Sequence, residues 1–196
     1  MRTTEPERDT ALDEHEEKDS YLWVLELFLL IAVVFFLTWL VRTYAIQNYE
    51  VPSGSMEPTI MTKDRLLADS ITYRFREIEY NDIVTFHDKT QEGRVLIKRV
   101  IAVGGQTVDL RDGKVVVDGK ILDEPYTHGK DSDPLPTQFD GVTLTYPYTV
   151  PDDMIWVMGD NRTNSSDSRF FGPIPVSSVT GHAFVVYWPL EDFSLL

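Results

Sequence analysis

The sequence predicts a mainly β protein, a compact antiparallel β domain tethered by one N-terminal transmembrane helix. Three observations carry this reading. An apolar run of twenty residues, Leu22 to Val41, lies near the start of the chain. From residue 47 onward, short segments rich in β-branched and aromatic residues alternate with turn signals. No long stretch of helical periodicity interrupts them.

Residues 1–20, "MRTTEPERDTALDEHEEKDS", are crowded with Glu and Asp and have almost no large apolar side chains. Such a segment buries too little surface to offset its ordering entropy, so a disordered acidic tail is expected. In the apolar run only Glu26 and Thr38 intervene. At about 1.5 Å per residue the run spans roughly 30 Å, the hydrocarbon thickness of a bilayer. Tyr21 and Trp23 at one end and Trp39 and Tyr44 at the other suit the two membrane interfaces. The run is too long for a cleavable signal peptide and its flank is acidic, so residues 21–46 are expected to be a retained anchor. Arg8 and Lys18 before the span and Arg42 after it give a slight bias to a cytoplasmic N-terminus. Residues 47–196 then lie outside the cell membrane.

In that part "RLLADSITY", "DIVTF", "RVLIKRVIAV", "KVVVDGKIL", "MIWVMG" and "HAFVVYW" are the predicted strands. Asp112-Gly113 and Gly104-Gly105 mark turns, and Asp118-Gly119 between Val115–Val117 and Lys120–Leu122 is a two-residue hairpin signal. Residues 124–150 are loop-rich in their first half.

Composition narrows the chemistry. A net charge of -14 argues against a nucleic-acid partner, which requires a basic footprint. The chain has no cysteine, which excludes thiol catalysis, thiolate metal sites and disulfides. Attention then falls on "YEVPSGSMEPTI", Tyr49 to Ile60, which is either a hydroxyl-rich turn or the seat of a nucleophile. A serine nucleophile needs a base. His15, His87, His128 and His182 have no distinctive setting in the sequence. Lys98, inside the apolar run "RVLIKRVIAV", is the better candidate. A free lysine has a pKa of about 10.4 and is almost wholly charged at pH 7. Burial can lower that value by up to about 3–5 units. The alternative for Lys98 is a strand-edge charge with a buried stem and a solvated head. Arg99, next to it, is expected on the opposite face in a structural role. The third segment, "MGDNRTNSSDSRFFGPIP", is too densely polar for a plain solvated loop. Asp160 and Asn161 can fix turns, and Asp167 with Arg169 can form a charge-assisted pair. A calcium loop does not fit, because the sixth-position glycine and terminal glutamate are missing.

"PSGSMEPT", "IKRVIAVGG" and "GDNRTNSSDSRFFG" occur in this order behind an N-terminal anchor. In this the chain resembles the type I bacterial signal peptidases, serine–lysine endopeptidases that remove signal peptides from exported proteins. The resemblance extends over "DIVTF", "VVVDGKILDEPY" and the closing "GHAFVVYWP". It implies Ser55 as nucleophile and Lys98 as general base. Ser53, with the backbone N–H of Ser55, would form the oxyanion hole. It further implies that Ser165 hydrogen-bonds and orients the lysine, that Asp167 and Arg169 form a supporting ion pair, and that Gly159 allows close backbone approach; Asp160 is also expected to support the site. Tyr49, Val51, Pro52 and Ile97 are expected to wall pockets for small residues of an A-x-A signal peptide, bound as an added strand. No metal or cofactor is implied; the partners are signal peptides of preproteins and the lipid bilayer.

Two departures from the family pattern concern turns. Gly104-Gly105-Gln106 replaces Pro-Gly-Asp, and Asn81-Asp82 replaces Gly-Asp. Three rivals stand beside this reading. Self-cleaving repressors share the Ser–Lys chemistry but bind DNA, which the charge opposes. A signal peptidase dedicated to pilin or surface-fibre subunits carries the same motifs. An inactive membrane-anchored peptide-binding module need not keep Ser53, Ser55, Lys98 and Ser165 together.

Overall fold

The computed structural model describes residues 22–39 and 45–196, and the chain divides into two units at Tyr44/Ala45. In the first unit α1, Leu22–Trp39, is 18 residues long and apolar enough to cross a membrane. Its one hydroxyl is satisfied within the helix, since Thr38 Oγ1 donates to the Val34 carbonyl at 2.8 Å. The expected acidic tail 1–20, Tyr21, and residues 40–44 with Arg42 and Tyr44 lie outside the described residues.

The second unit is antiparallel β structure, as the sequence predicts. Its strands are β1 (Ile46–Glu50), β2 (Arg65–Asp69), β3 (Ile83–His87), β4 (Val95–Val103), β5 (Thr107–Arg111) and β6 (Lys114–Val117). They continue as β7 (Lys120–Ile121), β8 (Tyr148–Thr149), β9 (Met154–Met158), β10 (Ile174–Pro175), β11 (Val179–Trp188) and β12 (Ser194–Leu195). One sheet runs β1-β2-β11-β3-β4-β9-β10 with β12 against β11, and a smaller one runs β7-β6-β5-β8. β1 begins at Ile46, so the β unit starts slightly ahead of the expected boundary at 47.

Side-chain chemistry explains where strands stop. The segment "RLLADSITY" is strand only to Asp69. There the carboxylate accepts the N–H groups of Ile71 and Thr72, at 3.1 and 2.6 Å, and folds the chain into a 3-10 turn at Thr72–Arg74. The β6–β7 hairpin forms on Asp118 and Gly119, with φ of 51° and 78°, the left-handed pair that a type I′ turn requires. β5 is not among the predicted strands. Its central Asp109 looks loop-like in sequence, yet it accepts from its own neighbours Leu110 N and Arg111 Nε.

Three apolar clusters form the core. The first, with Val51, Met56, Ile60, Leu66 and Ile97, supports the region of the serine-rich turn. Register then fixes the chemistry. Lys98 stands opposite Val84 of β3, and the pairing of β4 with β9 begins only at Arg99↔Met158. Val95 to Lys98 therefore have no β9 partner along that edge, and β1, which pairs only with β2, is the terminal strand of its sheet.

Candidate active site

The turn that holds Ser55 is a single 3-10 turn, Gly54–Met56, closed by Glu57 N–H donating to the Gly54 carbonyl. Met56, 1% exposed, pins it into the first apolar cluster. Ser53 precedes the turn in an extended conformation and its side chain does not cap it. Lys98 reaches this turn from β4. Its ammonium donates to Ser55 Oγ at 2.7 Å and to the Ile97 carbonyl at 3.0 Å. The side chain is buried (2% exposed), and burial lowers its pKa to about 8 from an ordinary 10.5, with Arg94 pushing the same way and Asp167, Asp160 and Asp88 opposing. At that value ~10% of the amine is neutral at pH 7, against roughly one in several thousand for a free lysine.

Ser165 is placed differently from its implied role. Its Oγ is buried without a hydrogen-bond partner, and Lys98 gives its second bond to Ile97 instead. Ser165 packs against Gly159. A side chain there would overlap both Ser165 Oγ and the Ser55 carbonyl oxygen, so this approach requires glycine.

Two buried ion pairs support the turn. Asp160 accepts Arg99 Nε and Nη2 at 2.8 and 2.6 Å and Thr59 Oγ1 at 2.5 Å, which joins β4 to the chain just after the turn. Asp167 accepts Arg169 Nε and Nη2, both at 2.9 Å, and the Gly159 N–H at 3.1 Å. Asp167 also caps the short α2, Ser168–Phe171. The same 159–169 loop grips the Ser55 turn directly. Asn161 N–H donates to the Ser55 carbonyl at 3.1 Å, and Asn161 Nδ2 donates to the Gly54 carbonyl at 2.8 Å. Sequence reasoning gives Asn161 only a turn-fixing role and misses Thr59, Glu124 and Arg162. The last two form a buried pair at 2.6 Å, and Arg162 also donates to Ser132. Nothing local in "LDEPY" points to this, because the partners are far apart in the chain.

Tyr49, Val51, Pro52 and Ile97 line one cleft with Ser53, Ser55 and Lys98. Val51 and Ile97 are buried and make its floor beside Met56 and Ile60, while half-buried Tyr49 and exposed Pro52 make its walls. Among the described residues no group of three or more His, Asp or Glu is placed to hold a metal ion.

The cleft holds a buried amine against a serine hydroxyl, bordered by two open strand edges, and the chain that builds it is similar in sequence to known proteins. A probable signal peptidase I-2 of Synechocystis is 38% identical, with 80% of this chain and 69% of that protein aligned. A probable signal peptidase I of Mycobacterium leprae is 33% identical over 88% of this chain and 78% of its own. A crystal structure of a signal peptidase I from Enterococcus faecalis, 33% identical, covers 55% of this chain and 97% of its own with a TM-score of 0.45. The family sequence model described as signal peptidase, peptidase S26, matches residues 23–188, from inside α1 to the last residue of β11. Apolar helix and β unit are thus matched together, and the chain belongs to the signal peptidase S26 family.

Proposed function

We propose that this protein is a membrane-anchored serine endopeptidase that removes signal peptides from exported proteins, with Ser55 as nucleophile and neutral Lys98 as general base. The observation that carries the reading is the 2.7 Å contact between Lys98 Nζ and Ser55 Oγ, made by an amine whose burial brings its pKa to about 8. Neutral Lys98 takes the hydroxyl proton as Oγ attacks the scissile carbonyl. The ammonium so formed protonates the departing amine, and the amine, neutral again, draws a proton from the water that releases the acyl group. The developing oxyanion is held by the Ser55 N–H and the Ser53 hydroxyl, which the turn leaves uncommitted. Ser165 belongs to the packing that seats Gly159 against the Ser55 carbonyl.

The open edges of β1 and of Val95–Lys98 accept an extended peptide as an added strand, with main-chain hydrogen bonds supplying affinity. The shallow apolar floor of Val51 and Ile97 admits small side chains of the A-x-A type. With the N-terminus cytoplasmic, α1 holds the β unit on the membrane's outer side, where cleavage sites emerge, and tethering raises their effective concentration.

The test is cleavage of a synthetic A-x-A preprotein by the full-length chain in detergent, with the cut located by mass. Ser55→Ala and Lys98→Ala abolish it, and Ser53→Ala lowers kcat by about 10²-fold. A fully active Lys98→Ala enzyme rules out the assigned base.

A further inference from the structure

The loop between β7 and β8 sends one lysine toward the nucleophile turn. Half-buried Lys130 donates from Nζ to Asn161 Oδ1 at 2.7 Å. Among the described residues no ion pair engages this ammonium, although the chain carries a net charge of -14 and carboxylates are plentiful. A surface lysine in such a chain ordinarily faces acid or solvent, whereas this one faces a neutral amide.

The geometry of Asn161 gives that choice meaning. Its two side-chain ends are used differently: Oδ1 accepts from Lys130, and Nδ2 donates to the Gly54 carbonyl at 2.8 Å. An ammonium can only donate and a carbonyl can only accept, so Lys130 selects the one orientation of the amide that reaches Gly54. The Gly54 carbonyl and the Ser55 N–H belong to one planar peptide unit and point in opposite directions. A donor fixed on the carbonyl therefore fixes where the N–H points. Hydrogen bonds in a chain also polarise one another, which makes that N–H a better donor.

We infer that Lys130 is a positioning residue for the oxyanion hole: through Asn161 and the Gly54 carbonyl it orients and polarises the Ser55 N–H. The inference rests on the reading of Ser55 as nucleophile. An oxyanion donor is fully used only in the transition state, so the effect belongs to kcat rather than to KM.

Lys130→Met in the full-length chain is expected to lower kcat about tenfold, with KM within about twofold of wild type. Lys130→Arg, which keeps a charged donor, is expected to recover most of the loss. In an Asn161→Ala background Lys130→Met is expected to cost nothing further, because the relay is already cut. A role in folding alone would instead lower the unfolding midpoint and leave the kcat of the folded fraction intact. An undiminished kcat in Lys130→Met, an Arg variant as impaired as Met, or a full additional loss in the Asn161→Ala background overturns the inference. Ser55→Ala is run alongside. If it still cleaves, the underlying reading has failed; if it is dead while Lys130→Met is normal, only the relay has.

Discussion

At position 159 the absence of one carbon atom lets two polypeptide segments meet. A Cβ there would overlap Ser165 Oγ and the Ser55 carbonyl oxygen, and the second obstacle is backbone that cannot rotate away. Gly159→Ala must push the Ser55 turn off the 159–169 loop, and with it the Ser55 hydroxyl off Lys98. Misplacement on the scale of 1 Å costs about 10²-fold in rate, and the crowding itself costs about 1–3 kcal/mol of stability. Steady-state kinetics and a denaturant melt on the same preparation measure the two. A wild-type kcat in the Gly159→Ala enzyme would show that the contact has no part in placing the serine. Residue-scale features differ in how well the sequence announces them. Lys98 draws notice as a cation inside "VLIKRVIAV", although a strand-edge lysine with a solvated head gives the same pattern and only the placed backbone separates the two. Ser55 separates from Ser53 only by family resemblance, since both hydroxyls sit in the same turn chemistry. That Lys98 gives its second bond to the Ile97 carbonyl and leaves Ser165 Oγ without a partner is a matter of side-chain placement, and no pattern of residue types encodes that.

Asp167 shows how one side chain organises an element. It caps α2, accepts the Gly159 N–H, and neutralises Arg169, whose Nη2 donates onward to the Arg162 carbonyl at 2.7 Å. Removing the carboxylate strands a guanidinium that is 1% exposed. Breaking such a buried pair from one side typically costs about 3–5 kcal/mol. Asp167→Ala is accordingly expected to lower stability by that amount and, by loosening the loop that grips Ser55, to lower kcat as well. Asp167→Asn retains acceptor capacity for the cap and is expected to lose less; equal losses in the two variants would show that charge pairing matters little here. At this scale the strands with β-branched runs and Asp-Gly turns are legible from local sequence alone. β5 is not, because Asp109 satisfies itself within its own strand. β2 ends early because the Asp69 side chain competes for the next N–H groups. In both cases a short polar side chain decides the outcome, and its partners are visible only once the backbone is placed.

Across the whole molecule the buried cations raise a question of balance. Arg99, Arg162 and Arg169 each face a carboxylate, whereas among the described residues Lys98 is in no ion pair. The pairing of the arginines follows from the motif's composition in only one case, Asp167 with Arg169, because the other two pairs join distant segments. The unpaired lysine carries the thermodynamic consequence. Its pKa is about 8 when folded and near 10.5 when exposed, so folding is penalised whenever the unfolded chain holds this proton more readily. Below about pH 8 both states are protonated and the full penalty, about 3 kcal/mol, is present. Between pH 8 and 10.5 the folded state has lost a proton that the unfolded state retains, so this contribution makes stability rise with pH. Lys98→Met removes the group while keeping its shape. The variant is therefore expected to be inactive and, at pH 7, more stable than wild type by up to about 3 kcal/mol, with the advantage shrinking toward zero as the pH approaches 10.5. If Lys98 is the base, as proposed, the same ionisation is expected in catalysis, with kcat/KM rising with pH and levelling off above about 8. Paired denaturant melts of wild type and variant at several pH values isolate this one group, because every other titration cancels in the difference. A stability gap that stays constant with pH would mean that the amine is solvated in the folded protein and cannot serve as its base.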